Sequence, residues 1–160
     1  MKKTAVIGLG SPLRADDGIG LRVIAELEQR AGDFPDVDFL DMGTGGLSVL
    51  YELAGRERVI FVDCTLMGAE PGAWQRFTPD EVRPAGVAIR YSAHEGDLLN
   101  ILRLARDMGE CPQHVVIIGI EPAETGDQME ISPQLLARLG EYVEAVAAEL
   151  NHPMERSPRA

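Results

Sequence analysis

Arg58-Val-Ile-Phe-Val-Asp63 is the stretch on which the reading of this chain turns. It is an unbroken apolar run rich in β-branched residues, and it ends on an acid. A strand with one wet face alternates, so a run without alternation marks a strand covered on both faces, as in a parallel sheet. Runs of the same kind stand at Thr4-Ala-Val-Ile-Gly8 and His114-Val-Val-Ile-Ile-Gly-Ile120. Asp36-Val-Asp-Phe-Leu-Asp41 alternates and fits a more marginal strand, while Trp74 to Phe77 and residues 87–91 are short and belong near an edge. Helical spacing fills the intervals: Ile19, Val23, Ile24 and Leu27; Leu47, Leu50, Tyr51 and Ala54; Leu98, Leu99, Leu102 and Ala105. A last helix is predicted over residues 132–150, opening on Ser132 as N-cap and Pro133 at the first helical position. Its buried face is Leu135, Leu139, Tyr142, Val143 and Val146. Strands alternating with helices give an α/β fold, a three-layer αβα sandwich around a mostly parallel, twisted sheet. One domain is expected over residues 1–150, with residues 151–160 a frayed tail.

A chain of 160 residues can bury a full core without staples. Its 26 acids against 15 bases leave a formal charge of -11, which argues against nucleic acid or an anionic membrane surface as partner. Cys64 and Cys111 are the only cysteines and have no metal-type spacing, which fits a reducing compartment. The first apolar run is too short for a membrane span, so the expected location is cytoplasmic.

Gly8-Leu-Gly10-Ser-Pro-Leu13 follows the first strand and invites a dinucleotide-binding reading, which fails in detail. The fingerprint needs a third glycine where this chain has Leu13. Asp16 and Asp17 also stand at the start of the helix, where they would compete with a phosphate for its N–H groups. Asp16 is the natural cap, which leaves Asp17 for chemistry. Gly18 and Gly20 are poor first-turn residues, at about 1 kcal/mol each against alanine, unless something must approach the backbone closely.

Two further residues carry ligand chemistry. Asp63 ends a central strand, where open α/β sheets place their ligands; alone it could equally cap a turn. His94, in Ser92-Ala-His94-Glu95, falls in the first turn of the third helix if Ser92 and Glu95 form a capping box. The helix dipole disfavours an imidazolium there, and neutral imidazole is the metal-binding form. In a parallel arrangement Asp17, Asp63 and His94 converge on one sheet edge. Two carboxylates and an imidazole suit a borderline divalent ion such as nickel or zinc. The glycines of Asp41-Met-Gly43-Thr44-Gly45-Gly46 lie at the same edge, as a tight turn or as room for an extended peptide.

Taken together, these segments resemble the hydrogenase maturation endopeptidases. The likeness runs through Gly8 to Gly20, Asp41 to Gly46, Val62-Asp63, Ser92-Ala-His94 and Ile118-Gly-Ile-Glu-Pro122, in order, over about residues 4–150. It implies a five-stranded twisted sheet with helices on both sides. It also implies that Asp17, Asp63 and His94 hold a divalent metal, nickel supplied by the substrate, for which zinc or cadmium could substitute. The implied substrate is the precursor of a nickel-iron hydrogenase large subunit, cut after a basic residue or histidine just beyond its last metal-binding cysteine motif. Loss of the tail lets the large subunit close over its metal centre. The family commonly has asparagine where this chain has Ser11, and some members have glutamate where it has Asp17.

The expected mechanism has water attacking a carbonyl held beside the anchored metal, with Asp16 or Asp17 as base. The catalytic candidates are therefore Asp17 and Asp16; no resident cofactor site is expected, and the enzyme is expected to act as a monomer. Cys64, beside Asp63, reads as core packing. The rival readings are a non-catalytic nickel-binding chaperone, a nucleotide-binding oxidoreductase and a general aspartic peptidase.

Overall fold

The computed structural model describes residues 1–82 and 93–154, with the side chains of residues 93–97 outside the description. The strand expected over residues 87–91 and the Ser92 half of the capping box fall outside the described residues. The strands are β1 (Thr4–Gly8), β2 (Val37–Asp41), β3 (Arg58–Cys64), β4 (Trp74–Phe77) and β5 (His114–Ile120). The helices are α1 (Ile19–Gln29), α2 (Ser48–Leu53), α3 (Ala93–Asp107), α4 (Pro133–Leu136) and α5 (Leu139–Asn151). The sheet order is β2-β1-β3-β5-β4, parallel throughout except for the antiparallel edge strand β4.

Successive side chains of a strand point to opposite faces, and here both faces are roofed. Val6, Ile60, Val62, Val116 and Ile118 pack with Ile19, Val23, Ile24 and Leu27 of α1 and with Tyr142, Val143 and Val146 of α5. Ala5, Ile7, Val59, Phe61 and Ile117 pack with Val49 and Leu53 of α2 and with Leu98, Ile101, Leu102 and Ala105 of α3. That double cover is why the central strands show no alternation. The close approach that would excuse a first-turn glycine is present at Gly20. A Cβ there would lie 2.3 Å from the Val62 carbonyl oxygen, so α1 sits directly on β3.

Two expectations about helices need correction. The stripe Leu47, Leu50, Tyr51, Ala54 is not the buried face of α2: Val49 and Leu53 are buried, while Leu47 is 66% and Tyr51 76% exposed. A helix of six residues is too short for periodicity to fix its rotation. The glycine loop before it fixes the rotation instead, since the absent Cβ of Gly45 (φ 51°) makes room for the Val49 side chain. The final helix is likewise two helices, broken between Leu136 and Leu139. Ser132 is the N-cap of α4 and Pro133 its first residue, but the Ser132 side chain makes no capping bond.

The break lets α5 turn its buried face to the sheet, where the Tyr142 hydroxyl donates to the Gly72 carbonyl at 2.6 Å. Burial pushes this phenol up to about 12, so it keeps its proton, and its donor role, across the working pH range. Tyr142→Phe should therefore cost about 1–2 kcal/mol, read as a lower urea midpoint at unchanged slope, because it strands a buried carbonyl. Sequence reading also missed Arg56, which is buried at the amino edge. Its guanidinium donates to Asp38, to Glu52 and to the Lys2 carbonyl at 2.7–3.1 Å.

Candidate active site at the switch point of the sheet

The crossover helix α1, between β1 and β2, covers one face of the sheet, and α2, between β2 and β3, covers the other. The carboxyl ends of the adjacent strands β1 and β3 therefore flank a topological switch point, the place where open α/β sheets bind ligands. Asp17, in the 3-10 turn Ala15–Gly18 after β1, and Asp63, the next-to-last residue of β3, both lie there.

Asp63 is 1% exposed. Among the described residues, no donor meets either of its carboxylate oxygens with hydrogen-bond geometry. Burial pushes its pKa well above the usual carboxylate range, and the negative charge of Asp17 pushes in the same direction; the adjacent Cys64 N–H offsets only part of this. Two acids close enough to oppose each other's ionisation, one of them buried with no donor in hydrogen-bond geometry among the described residues, form an arrangement that a divalent cation would relieve. Asp17 is 8% exposed, and its Oδ2 accepts the Ser11 N–H at 2.8 Å, so a backbone donor orients it. Gly10 keeps that geometry possible: at φ 132° it packs so close that a Cβ would fall 1.9 Å from the Asp17 carbonyl oxygen.

Residue 94 falls in the first turn of α3, which packs over the same sheet face toward which the alternation of β3 turns Asp63. A 15-residue helix spans about 22 Å, roughly the length of a seven-residue strand, and α3 leads into the start of β5. Its N-terminus thus returns to the carboxyl edge of the sheet. The His94 side chain itself lies outside the described residues, and among the described residues no three ligand-type side chains cluster.

Asp16 does something other than what was expected of it. It caps neither its own turn nor α1. Fully buried, its carboxylate accepts four hydrogen bonds from far down the chain, from the N–H groups of Ala123, Glu124 and Ser132 and from the Ser132 hydroxyl, at 2.7–2.9 Å. Both of its oxygens are engaged, which leaves it poorly placed to collect a proton. Glu121 is an acid to which sequence reading gave no role. Buried at the end of β5, it accepts the Met67 N–H at 2.6 Å and so holds the segment that follows Asp63. The position that singled out Asp63, an acid at the end of an apolar strand, would have found it too. Cys64 points away from Asp63 into the α1/α5 core, and neither Cys64 nor Cys111 is in a disulfide.

The fold is a mostly parallel α/β sheet with two neighbouring carboxylates, Asp17 and Asp63, at its switch point. The model of the family described as "Hydrogenase maturation protease" matches residues 21–149, and the chain belongs to that family. It is 31% identical to the Hydrogenase 2 maturation protease of Escherichia coli K12, over 96% of this chain and 94% of that protein. It is 34% identical to the Hydrogenase expression/formation protein HupD of Bradyrhizobium diazoefficiens over 76% of this chain, spanning only 64% of that relative's length. The solved hydrogenase maturating endopeptidase HybD from E. coli superposes with a TM-score of 0.79 at 26% identity, covering 94% of this chain and 92% of that one. Among the described residues, no helix is long and apolar enough to cross a membrane.

Proposed function

We propose that this protein is an endopeptidase that removes the C-terminal extension of a nickel-loaded hydrogenase large-subunit precursor. The observation that carries the proposal is the buried Asp63 carboxylate beside Asp17 at the switch point, whose oxygens meet no donor in hydrogen-bond geometry among the described residues. Such a pair is costly without a cation, and the precursor's own nickel is the cation that would couple recognition to cleavage. Asp17 and Asp63 supply hard oxygen donors, and His94, from the first turn of α3, supplies the third ligand. Zinc or cadmium would fit the same donors.

With nickel anchored there, the scissile carbonyl would lie beside it; water adds to the carbonyl carbon and the C–N bond breaks, the tail leaving as the amine with a proton from that water. Because both oxygens of Asp16 are committed, proton transfer falls to Asp17, through water, making this an aspartic-type site guided by metal. Two cysteines outside any disulfide fit a reducing compartment, so we place the enzyme in the cytoplasm, acting as a monomer on the precursor.

The test is incubation with nickel-loaded and nickel-free precursor, with tail release followed by mass. Native protein should process only the loaded form, and His94→Ala should lose that activity at least about a hundredfold, as expected for removal of a metal ligand. Tight binding of an uncut precursor would instead indicate a chaperone. Cleavage of an unrelated denatured protein would indicate a general peptidase.

A further inference from the structure

The four bonds onto Asp16 are not needed to cap α1, yet they come from a segment more than a hundred residues away. They gather residues 122–132, the strap between β5 and α4, onto the turn that carries Asp17. The strap also grips the turn's backbone: the Asp16 N–H donates to the Glu124 carbonyl at 3.0 Å, and the Ala15 N–H donates to the Gln128 carbonyl. Ala15 has φ 47°, the only positive φ outside glycine among the described residues. That conformation is disfavoured for an L-residue and persists only where surrounding contacts over-determine it.

We propose that Asp16 is a positioning residue: by drawing the strap onto one carboxylate it locks the strained turn and sets Asp17 where it reads the precursor's metal. Asp17 is then fixed from two sides, by the Ser11 N–H on its own carboxylate and by its strap-bound neighbour. The inference rests on the reading of Asp17 and Asp63 as the metal-reading pair. It also separates two adjacent acids by task, one engaged by protein donors and one turned to substrate.

Asparagine cannot stand in for Asp16. Whichever way its amide is turned, the NH2 group faces at least one donor, because Oδ1 accepts the Ser132 N–H and Oδ2 accepts the other three bonds. The readout is the ratio of affinities for nickel-loaded and nickel-free precursor, measured on folded protein. A residue that serves only the fold would weaken both affinities alike. Asp16→Asn should cut the ratio about tenfold, in line with the loss of bonds to a charged group. An undiminished ratio in folded Asp16→Asn protein overturns the proposal.

Should Asp16→Asn not fold, Ser132→Ala carries the test. It deletes only the hydroxyl donor and should lower the ratio about threefold; no change there overturns the proposal equally. The underlying site reading fails on a different result: native protein with no preference for the loaded precursor, or Asp63→Asn with the full native preference.

Discussion

Asp63→Asn should give a protein that no longer processes its precursor but resists unfolding better than the native chain at neutral pH. The first effect follows from removing a proposed metal donor and should reach at least about a hundredfold in processing rate. The second follows from burial. In the folded chain Asp63 binds its proton more tightly than it does unfolded, because desolvation and the charge of Asp17 both oppose its ionisation. Between the usual carboxylate range and that raised value, the folded state carries more protons than the unfolded state, so native stability falls as pH rises. The asparagine variant lacks this titration, so its advantage is absent in acid and grows through the window above the usual carboxylate range. Urea titrations of both proteins at several pH values, with divalent cations chelated, measure it. Parallel stability profiles would show that Asp63 pays no burial penalty.

The second large effect is expected at Gly10. Alanine there would hold a positive φ of 132° and place a methyl 1.9 Å from the Asp17 carbonyl oxygen. Backbone strain and overpacking cost about 1–3 kcal/mol each, so Gly10→Ala should lose about 2–6 kcal/mol, much of the 5–15 typical of a domain. Whatever folds will carry a displaced Asp17 and should process precursor poorly. Gly43→Ala is the control: Gly43 has φ 55°, but a Cβ there meets nothing within 4 Å, so only the conformational cost of about 1–2 kcal/mol applies. Equal urea midpoints for the two variants would mean that the loop after β1 does not press on the turn.

Much of the fold could be read in the sequence because burial on both faces leaves a one-dimensional trace. The runs at Thr4, Arg58 and His114 mark strands β1, β3 and β5 almost to the residue, and Ile19, Val23, Ile24 and Leu27 lie inward as their spacing requires. Asp63 could be found for the same reason, as an acid closing an apolar run. What failed had no such trace. Short helices carry too few turns for their spacing to choose a face, which is why Leu47 and Tyr51 were placed inside and stand exposed. The break in the last helix lies between two segments that each look helical, and Tyr142 of the second is buried with its hydroxyl on the Gly72 carbonyl, a contact no local pattern encodes.

The order of apolar runs and helical stripes by itself determined the α/β class and the parallel central sheet, because those follow from local periodicity and chain connectivity. Tertiary structure alone decided that two neighbouring aspartates have different partners. The partners of Asp16 stand 107 to 116 residues further along the chain, and no local pattern encodes a hydrogen bond that only folding brings within reach. It alone also placed the Asp17 charge against the buried Asp63, since mutual repulsion of two carboxylates depends on the distance between them and the water excluded around them.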